Sequence, residues 1–162
     1  MANIVQHEAP QPRVVIVDTD PGIDDCLALC MLLNSPQDVN ILGVTTIFGN
    51  GPLEVVVRNA KFILKQLGKA HIPVYYGAAA PLELQPGDAV RIADFVHGKD
   101  GLGDCPGMDM PSTAKKPIGE ESACEFILRQ VRAGVFSFFL SFFLLLPDGW
   151  MDGQCAAPVL AC

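Results

Sequence analysis

Val14-Val15-Ile16-Val17 runs straight into four aspartates within eight positions, Asp18, Asp20, Asp24 and Asp25. The apolar run reads as a short buried strand. Pro21-Gly22 is a turn signal that stops it. Beyond the turn, Cys26-Leu27-Ala28-Leu29-Cys30-Met31-Leu32-Leu33 reads as a buried helix. The carboxylates therefore fall between the C-terminal end of a strand and the N-terminal end of a helix, the edge of an open α/β sheet where ligands bind. Two unit charges 4 Å apart repel by about 1 kcal/mol in water and about 4 kcal/mol at an effective dielectric of 20. A helix N-terminus returns only about 0.3–1 kcal/mol per acid. A hard divalent cation, Ca²⁺ or Mg²⁺, is the natural counter-charge for such oxygens. The plainer alternative is that Asp24 and Asp25 cap the helix while Asp18 braces the turn.

Two motifs can be tested on the same residues. An EF-hand loop starting at Asp18 would need an acid at Gly22, a glycine at Ile23 and a glutamate at Leu29, and it fails. A phosphohydrolase that forms an aspartyl-phosphate also carries Asp-x-Asp after an apolar strand. Asp18-Thr19-Asp20 satisfies that much, with Asp18 as nucleophile.

The stretch Val17-Asp18-Thr19-Asp20-Pro21-Gly22-Ile23-Asp24-Asp25 resembles the N-terminal signature of the nucleoside hydrolases, the inosine–uridine-preferring N-ribohydrolase family. Gly43-Val44-Thr45-Thr46-Ile47-Phe48-Gly49-Asn50 resembles that family's second strand and loop. His97-Gly98-Lys99-Asp100-Gly101-Leu102-Gly103-Asp104 resembles its glycine-rich active-site loop. The resemblance covers residues 13–132. It implies an α/β fold, an open and mostly parallel sheet flanked by helices with a Rossmann-like core, here truncated. It implies hydrolysis of the N-glycosidic bond of a ribonucleoside to ribose and free base. It further implies that Asp20 is the general base and a Ca²⁺ ligand and Asp25 a second Ca²⁺ ligand. Asp24 would hold a ribose hydroxyl, Asn50 would help position the sugar, and His97 would contact ribose or leaving group. Asp18 would brace the loop. The family takes a further metal-binding acid and a neighbouring histidine from a C-terminal half to which nothing here corresponds, so weak Ca²⁺ binding and low turnover are expected of this chain. A homo-oligomer is an expectation for the full-length family member only.

The rest of the chain supports one domain. Residues 39–46 read as the next strand, residues 53–67 as a helix with Gly68 at its end, and residues 73–77 as a third strand. This β-α-β-α-β order argues for a parallel sheet. Asn50 serves equally well as a turn residue, and His97 as a solvated loop histidine. No Gly-x-Gly-x-x-Gly follows any strand, which argues against a dinucleotide cofactor. Residues 78–117 form a long Gly- and Pro-rich loop of the kind that carries function. Residues 118–131 read as an amphipathic helix with Glu120 and Glu121 in its first turn.

Half the residues are hydrophobic and the net charge is −7, which excludes disorder and argues against nucleic acid or an anionic membrane surface as partner. An uncharged nucleoside is compatible with it. The six cysteines, Cys26, Cys30, Cys105, Cys124, Cys155 and Cys162, form no Cys-x-x-Cys pair. They read as small core residues of a protein in a reducing cytoplasm. Residues 1–12 read as a loose leader without a secretory signal. Residues 133–162 form an unmatched apolar tail, in which 135–146 carry no charge and show neither helix nor strand periodicity. The run falls short of the roughly 20 apolar residues of a membrane span. The tail is expected to be foreign to the family, through a retained intron, a frameshift or a gene-model error. A genuine short isoform is the competing explanation. A non-catalytic fragment that binds calcium or a partner is the remaining functional alternative.

Overall fold

The strand expected at the head of the aspartate cluster is β1, Arg13–Thr19, and it is the axis of a parallel sheet. In the computed structural model, residues 12–35, 39–84, 87–117, 119–135 and 138–141 are described. Eight elements follow one another among them: β1, α1 (Ile23–Leu33), β2 (Val39–Thr46), α2 (Leu53–Gln66), β3 (Val74–Tyr75), α3 (Asp94–His97), α4 (Ala123–Ala133) and β4 (Phe138–Ser141). The sheet order is β3-β2-β1-β4. β1 pairs in parallel with β2 on one side and β4 on the other. The chain thus steps outward from β1 to β3 and then returns to the far side of β1. That reversal is the topological switch point of a doubly wound sheet, and ligands bind outside the strand ends there.

Period-two alternation divides the core. Val15 and Val17 of β1, Val44 of β2 and Val74 of β3 pack with Leu29 and Leu33 of α1 and with Val57, Ala60 and Leu64 of α2. Residues one step out of phase face the other layer, where Tyr75 stacks on Phe126 of α4 at 3.9 Å between ring centres. α1 is not the buried helix that its apolar sequence suggests. Asp25, Leu29 and Leu33 form its buried stripe, at the i, i+4, i+8 spacing of one helix face. Leu27 and Met31 stand in solvent, because only one side of a surface helix meets a sheet.

Other departures from the sequence reading have local causes. α4 begins at Ala123 rather than at residue 118, because Ser122 is its N-cap. The Ser122 Oγ accepts from the Glu125 amide at 3.3 Å, and Glu125 Oε2 accepts from the Ser122 amide at 2.7 Å. Such a capping box is worth about 1 kcal/mol, and it leaves Glu120 and Glu121 before the helix rather than in its first turn. The second strand was expected to be buried throughout, but only its Gly43–Thr46 half is; Val39, Ile41 and Leu42 are half-buried and Asn40 is exposed. Inside the long loop, residues 94–97 close the short helix α3. Phe138–Ser141, in the run that shows no periodicity, forms β4. A strand that lies within a continuous apolar run has no alternation to announce it.

Phe126 is buried to 1 % exposure and carries the contact between α4 and the sheet. Replacing it with alanine is expected to cost about 3–5 kcal/mol, read as a lowered urea midpoint at unchanged slope. A loss under about 1 kcal/mol would show that α4 does not depend on this contact.

Candidate active site

The end of β1 places one carboxylate inside the strand and one just past it. Asp18 still lies in the strand, on the α4 face beside Thr45, whose hydroxyl donates to its Oδ1 at 2.6 Å. Burial raises the Asp18 carboxyl above its ordinary range, and the Thr45 bond partly offsets this. It is a brace between β1 and β2, rather than of the loop that follows the strand. Asp20 comes one residue after the strand and turns into the crevice.

Asp20, Asp25, Asn50 and His97 are 8, 2, 6 and 2 % exposed and lie together. Asn50 ties the two acids. Its amide N–H donates to Asp20 Oδ2 at 2.8 Å, and its side-chain Nδ2 donates to the Asp20 carbonyl and to Asp25 Oδ2, both at 3.0 Å. The Thr19 hydroxyl donates a short hydrogen bond to Asp25 Oδ1. The loop that carries Asn50 approaches so closely that a Cβ on Gly49 would overlap the Asp20 carboxylate, which makes glycine a requirement there.

His97 arrives from α3. Its Nδ1 accepts from the Ile23 amide at 3.2 Å and lies 3.8 Å from Asp24 Oδ1. A nitrogen that accepts a hydrogen bond carries no proton, so the neutral ring bears its proton on Nε2. Among the described residues, His97 Nε2 and Asp24 Oδ1 are buried side-chain polar atoms without a partner. Buried orphans of this kind call for an explanation. A donor and an acceptor left buried beside the acids form a polar wall complementary to a hydroxyl group.

Every residue named for the site from the sequence is thus found at the end of β1. Asn59, Arg58 and Asp100 were not named, although they hold the His97 loop in place. Asn59 reads in the sequence as one polar residue inside an amphipathic helix, and only its full burial marks it.

The electrostatics are those of a site short of positive charge. Desolvation, reinforced by the neighbouring Asp25, pushes Asp20 up to about 8. Desolvation also raises Asp25, against the lowering effect of Thr19. Two hard oxygen donors held on one amide fit half of a ligand set for a hard cation. Among the described residues, no group of three or more His, Cys, Asp or Glu converges to complete it.

The profile of the inosine-uridine preferring nucleoside hydrolase family matches residues 15–138. A probable uridine nucleosidase 2 of Arabidopsis thaliana is 45% identical over 120 residues, 74% of this chain and 35% of the relative. The inosine-uridine preferring nucleoside hydrolase of Leishmania major is 33% identical over 117 residues, 72% of this chain and 35% of the relative. Among solved structures, a plant nucleoside hydrolase superposes with a TM-score of 0.62 at 36% identity, over 75% of this chain and 36% of its own. A purine-preferring ribonucleoside hydrolase from Gardnerella vaginalis gives 0.62 at 33% identity, over 74% and 36%. The chain belongs to the inosine-uridine preferring nucleoside hydrolase family. It spans about a third of the length of the relatives it matches.

The raised Asp20 carboxyl has a consequence for stability. An unfolded Asp loses its proton near 3.8 and folded Asp20 near 8, so between those values the folded state holds the extra proton. The contribution of Asp20 to stability is then greatest below pH 4 and falls as pH rises toward 8. In chelator, the melting temperature of the wild-type chain should fall relative to Asp20→Asn between pH 5 and pH 8. A difference that stays constant across this range would mean that Asp20 is not desolvated.

Proposed function

We propose that this chain carries the N-terminal half of a site that hydrolyses the N-glycosidic bond of a ribonucleoside to ribose and a free base. The observation that carries the reading is the pair of orphaned buried atoms, Asp24 Oδ1 and His97 Nε2, beside two buried carboxylates. A vicinal diol of ribose matches that wall, with Asp24 accepting from one hydroxyl and His97 donating toward ribose or leaving group. Asn50 positions the sugar through the acids it holds.

In the reaction the C1′–N bond breaks and a C1′–O bond forms to water, while C1′ passes through an oxocarbenium-like state. Asp20 removes one proton from the water, the departing base takes one proton at nitrogen from solvent, and return of the Asp20 proton to solvent balances the step. Carboxylates near C1′ stabilise the developing positive charge. Asp20 can act as a base only when ionised, and by itself it holds its proton at neutral pH. Asp20 and Asp25 are the residues that would hold a hard divalent cation, in our reading Ca²⁺; when bound, it supplies the positive charge that ionises Asp20 and acidifies and orients water.

The same reading gives three segments: a leader over 1–12, nucleoside hydrolase sequence over 13–132, and a tail over 133–162 whose Phe138–Ser141 extends the sheet. A small-molecule nucleoside is the partner, with no nucleic acid and no membrane. Among the described residues, no helix is long and apolar enough to cross a membrane. A reducing cytoplasm as location is supported by Cys26, Cys30, Cys105 and Cys124 being free thiols. A homo-oligomer is proposed only for the full-length family member.

Ribose release from inosine and uridine with excess Ca²⁺ tests the reading. We expect release far below the roughly 1–10³ per second usual for enzymes, and abolished by Asp20→Asn. Turnover in that range would overturn the half-site interpretation. Release indifferent to Asp20→Asn, or Mg²⁺-dependent hydrolysis of a phosphate ester lost in Asp18→Asn, would overturn the assignment of the chemistry.

A further inference from the structure

We infer that Asn59, with Arg58 beside it, is a positioning residue that latches the His97 loop onto the aspartate loop. The inference rests on the reading of His97 as a site residue. Asn59 lies in α2, away from the acids, and its side chain is fully buried. Its Nδ2 donates to the Pro21 carbonyl at 3.2 Å and to the Asp100 carbonyl at 2.9 Å. Pro21 belongs to the turn between Asp20 and Asp24, and Asp100 to the loop that follows His97, so a single amide group bridges the two. Arg58 completes the bridge. Its Nε and Nη2 donate to Asn59 Oδ1 at 3.1 and 3.0 Å, and its Nη2 donates to the Asp100 carbonyl at 2.6 Å. The guanidinium thereby fixes which end of the Asn59 amide is the donor.

The loop is built to receive this clamp. The Gly103 amide donates to the His97 carbonyl at 2.7 Å. The Asp104 carboxylate accepts from the Lys99 and Asp100 amides at 3.0 and 2.9 Å. The loop is therefore a closed unit that moves as one body. Gly101 has φ +76°, and a Cβ there would lie 2.6 Å from Asn59 Nδ2, so only glycine lets the loop settle on the latch. Two anchors then hold this body against the aspartate loop: His97 on the Ile23 amide, and Asp100 on Asn59. Losing the Asn59 donor leaves Asp100 held to α2 by Arg58 Nη2 at 2.6 Å but removes the bond from α2 to Pro21, so the orientation of His97 against the aspartate loop then rests on the Ile23 amide at 3.2 Å.

The test is nitrogen-15 NMR of the full chain with labelled histidine, the His97 signal being assigned by its loss in His97→Asn. Asn59→Asp is the informative variant. It keeps an oxygen partner for Arg58 and the size of the side chain but removes both donor hydrogens. In the wild-type chain His97 should show the Nε2–H tautomer with a hydrogen-bonded Nδ1, distinct from exposed His71. In Asn59→Asp the His97 signal should move toward that of His71. The Gly101 and Gly103 amides should exchange with solvent at least about tenfold faster, while the Val17 amide in β1 is unchanged. Gly101→Ala, which pushes on the same contact from the loop side, should reproduce both effects. An unchanged His97 signal and unchanged exchange in a folded variant would overturn the latch. If neither variant folds, Asn59 is a residue of core stability and the positioning role falls. None of these readouts uses turnover, so absence of ribose release would count against the proposed function and leave the latch standing.

Discussion

The structure turns on the burial of two carboxylates at the end of one strand. Taking a charge out of water costs several kcal/mol unless hydrogen bonds or an opposite charge replace the lost solvation, and hydrogen bonds to charged groups return about 1.5–3 kcal/mol each. Asp25 is served by the Thr19 hydroxyl and by Asn50 Nδ2, with the Gly22 amide at 3.4 Å as a weaker third donor. Asp20 receives one strong donor to its carboxylate, the Asn50 amide. Desolvation, with the Asp25 charge beside it, lifts Asp20 to about 8, and its hydrogen bonds offset only part of this. The need for donors also explains the local architecture. Asn50 must come close enough to serve both acids, and so its neighbour on the inner side is Gly49.

A second consequence concerns the long loop. A connection rich in Gly and Pro has much conformational freedom to lose, yet residues 97–104 are tied at both ends of their arc. The Ala93 amide donates to the Gly49 carbonyl at 2.9 Å just before α3, so the segment is anchored to the β2–α2 turn before His97 is reached. The three catalytic-side segments, after β1, after β2 and around α3, are thus cross-linked by hydrogen bonds among themselves. The wall facing a ligand is assembled before the ligand arrives, which lowers the ordering cost of binding.

The sequence carried the outline of this site with little ambiguity, and physical reasons account for where it did not. β1, β2 and the helix after Pro52 have run lengths and punctuation that only one element type satisfies, and β2 fell at Val39–Thr46 as read. The aspartates were legible because charge density at a strand end has few explanations. Strand alternation would put Asp18 and Asp20, two residues apart, on one face; they differ because β1 ends at Thr19, so Asp18 sits in the pleat and Asp20 just past it. Asn59 was not legible, because a polar residue on an amphipathic helix is ordinarily solvated and nothing local reveals that another loop closes over it. The same limit hid β4, whose partner β1 lies more than a hundred residues earlier. The exposed side of α1 escaped because Leu27 and Met31 are as apolar as Leu29 and Leu33; which of them meets the sheet is decided by helix phase.

What the two acids share with the rest of the site is a deficit of positive charge. His97 lies beside them with its Nδ1 occupied as an acceptor from the Ile23 amide, and its charge offsets the raised Asp25 carboxyl less than any other group acting there. Protonation of Asp20 removes the repulsion but also removes the base that the proposed chemistry needs. Under that reading a divalent cation and the proton on Asp20 compete for one place. Cation binding must release the proton, and it is therefore favoured as pH rises toward 8. A cation that takes six to eight oxygens finds two carboxylates here, so its hold on these residues is governed as much by who supplies the remaining oxygens as by Asp20 and Asp25 themselves. The half-site is preorganised in geometry and left unsatisfied in charge, and under that reading a bound cation would couple the two.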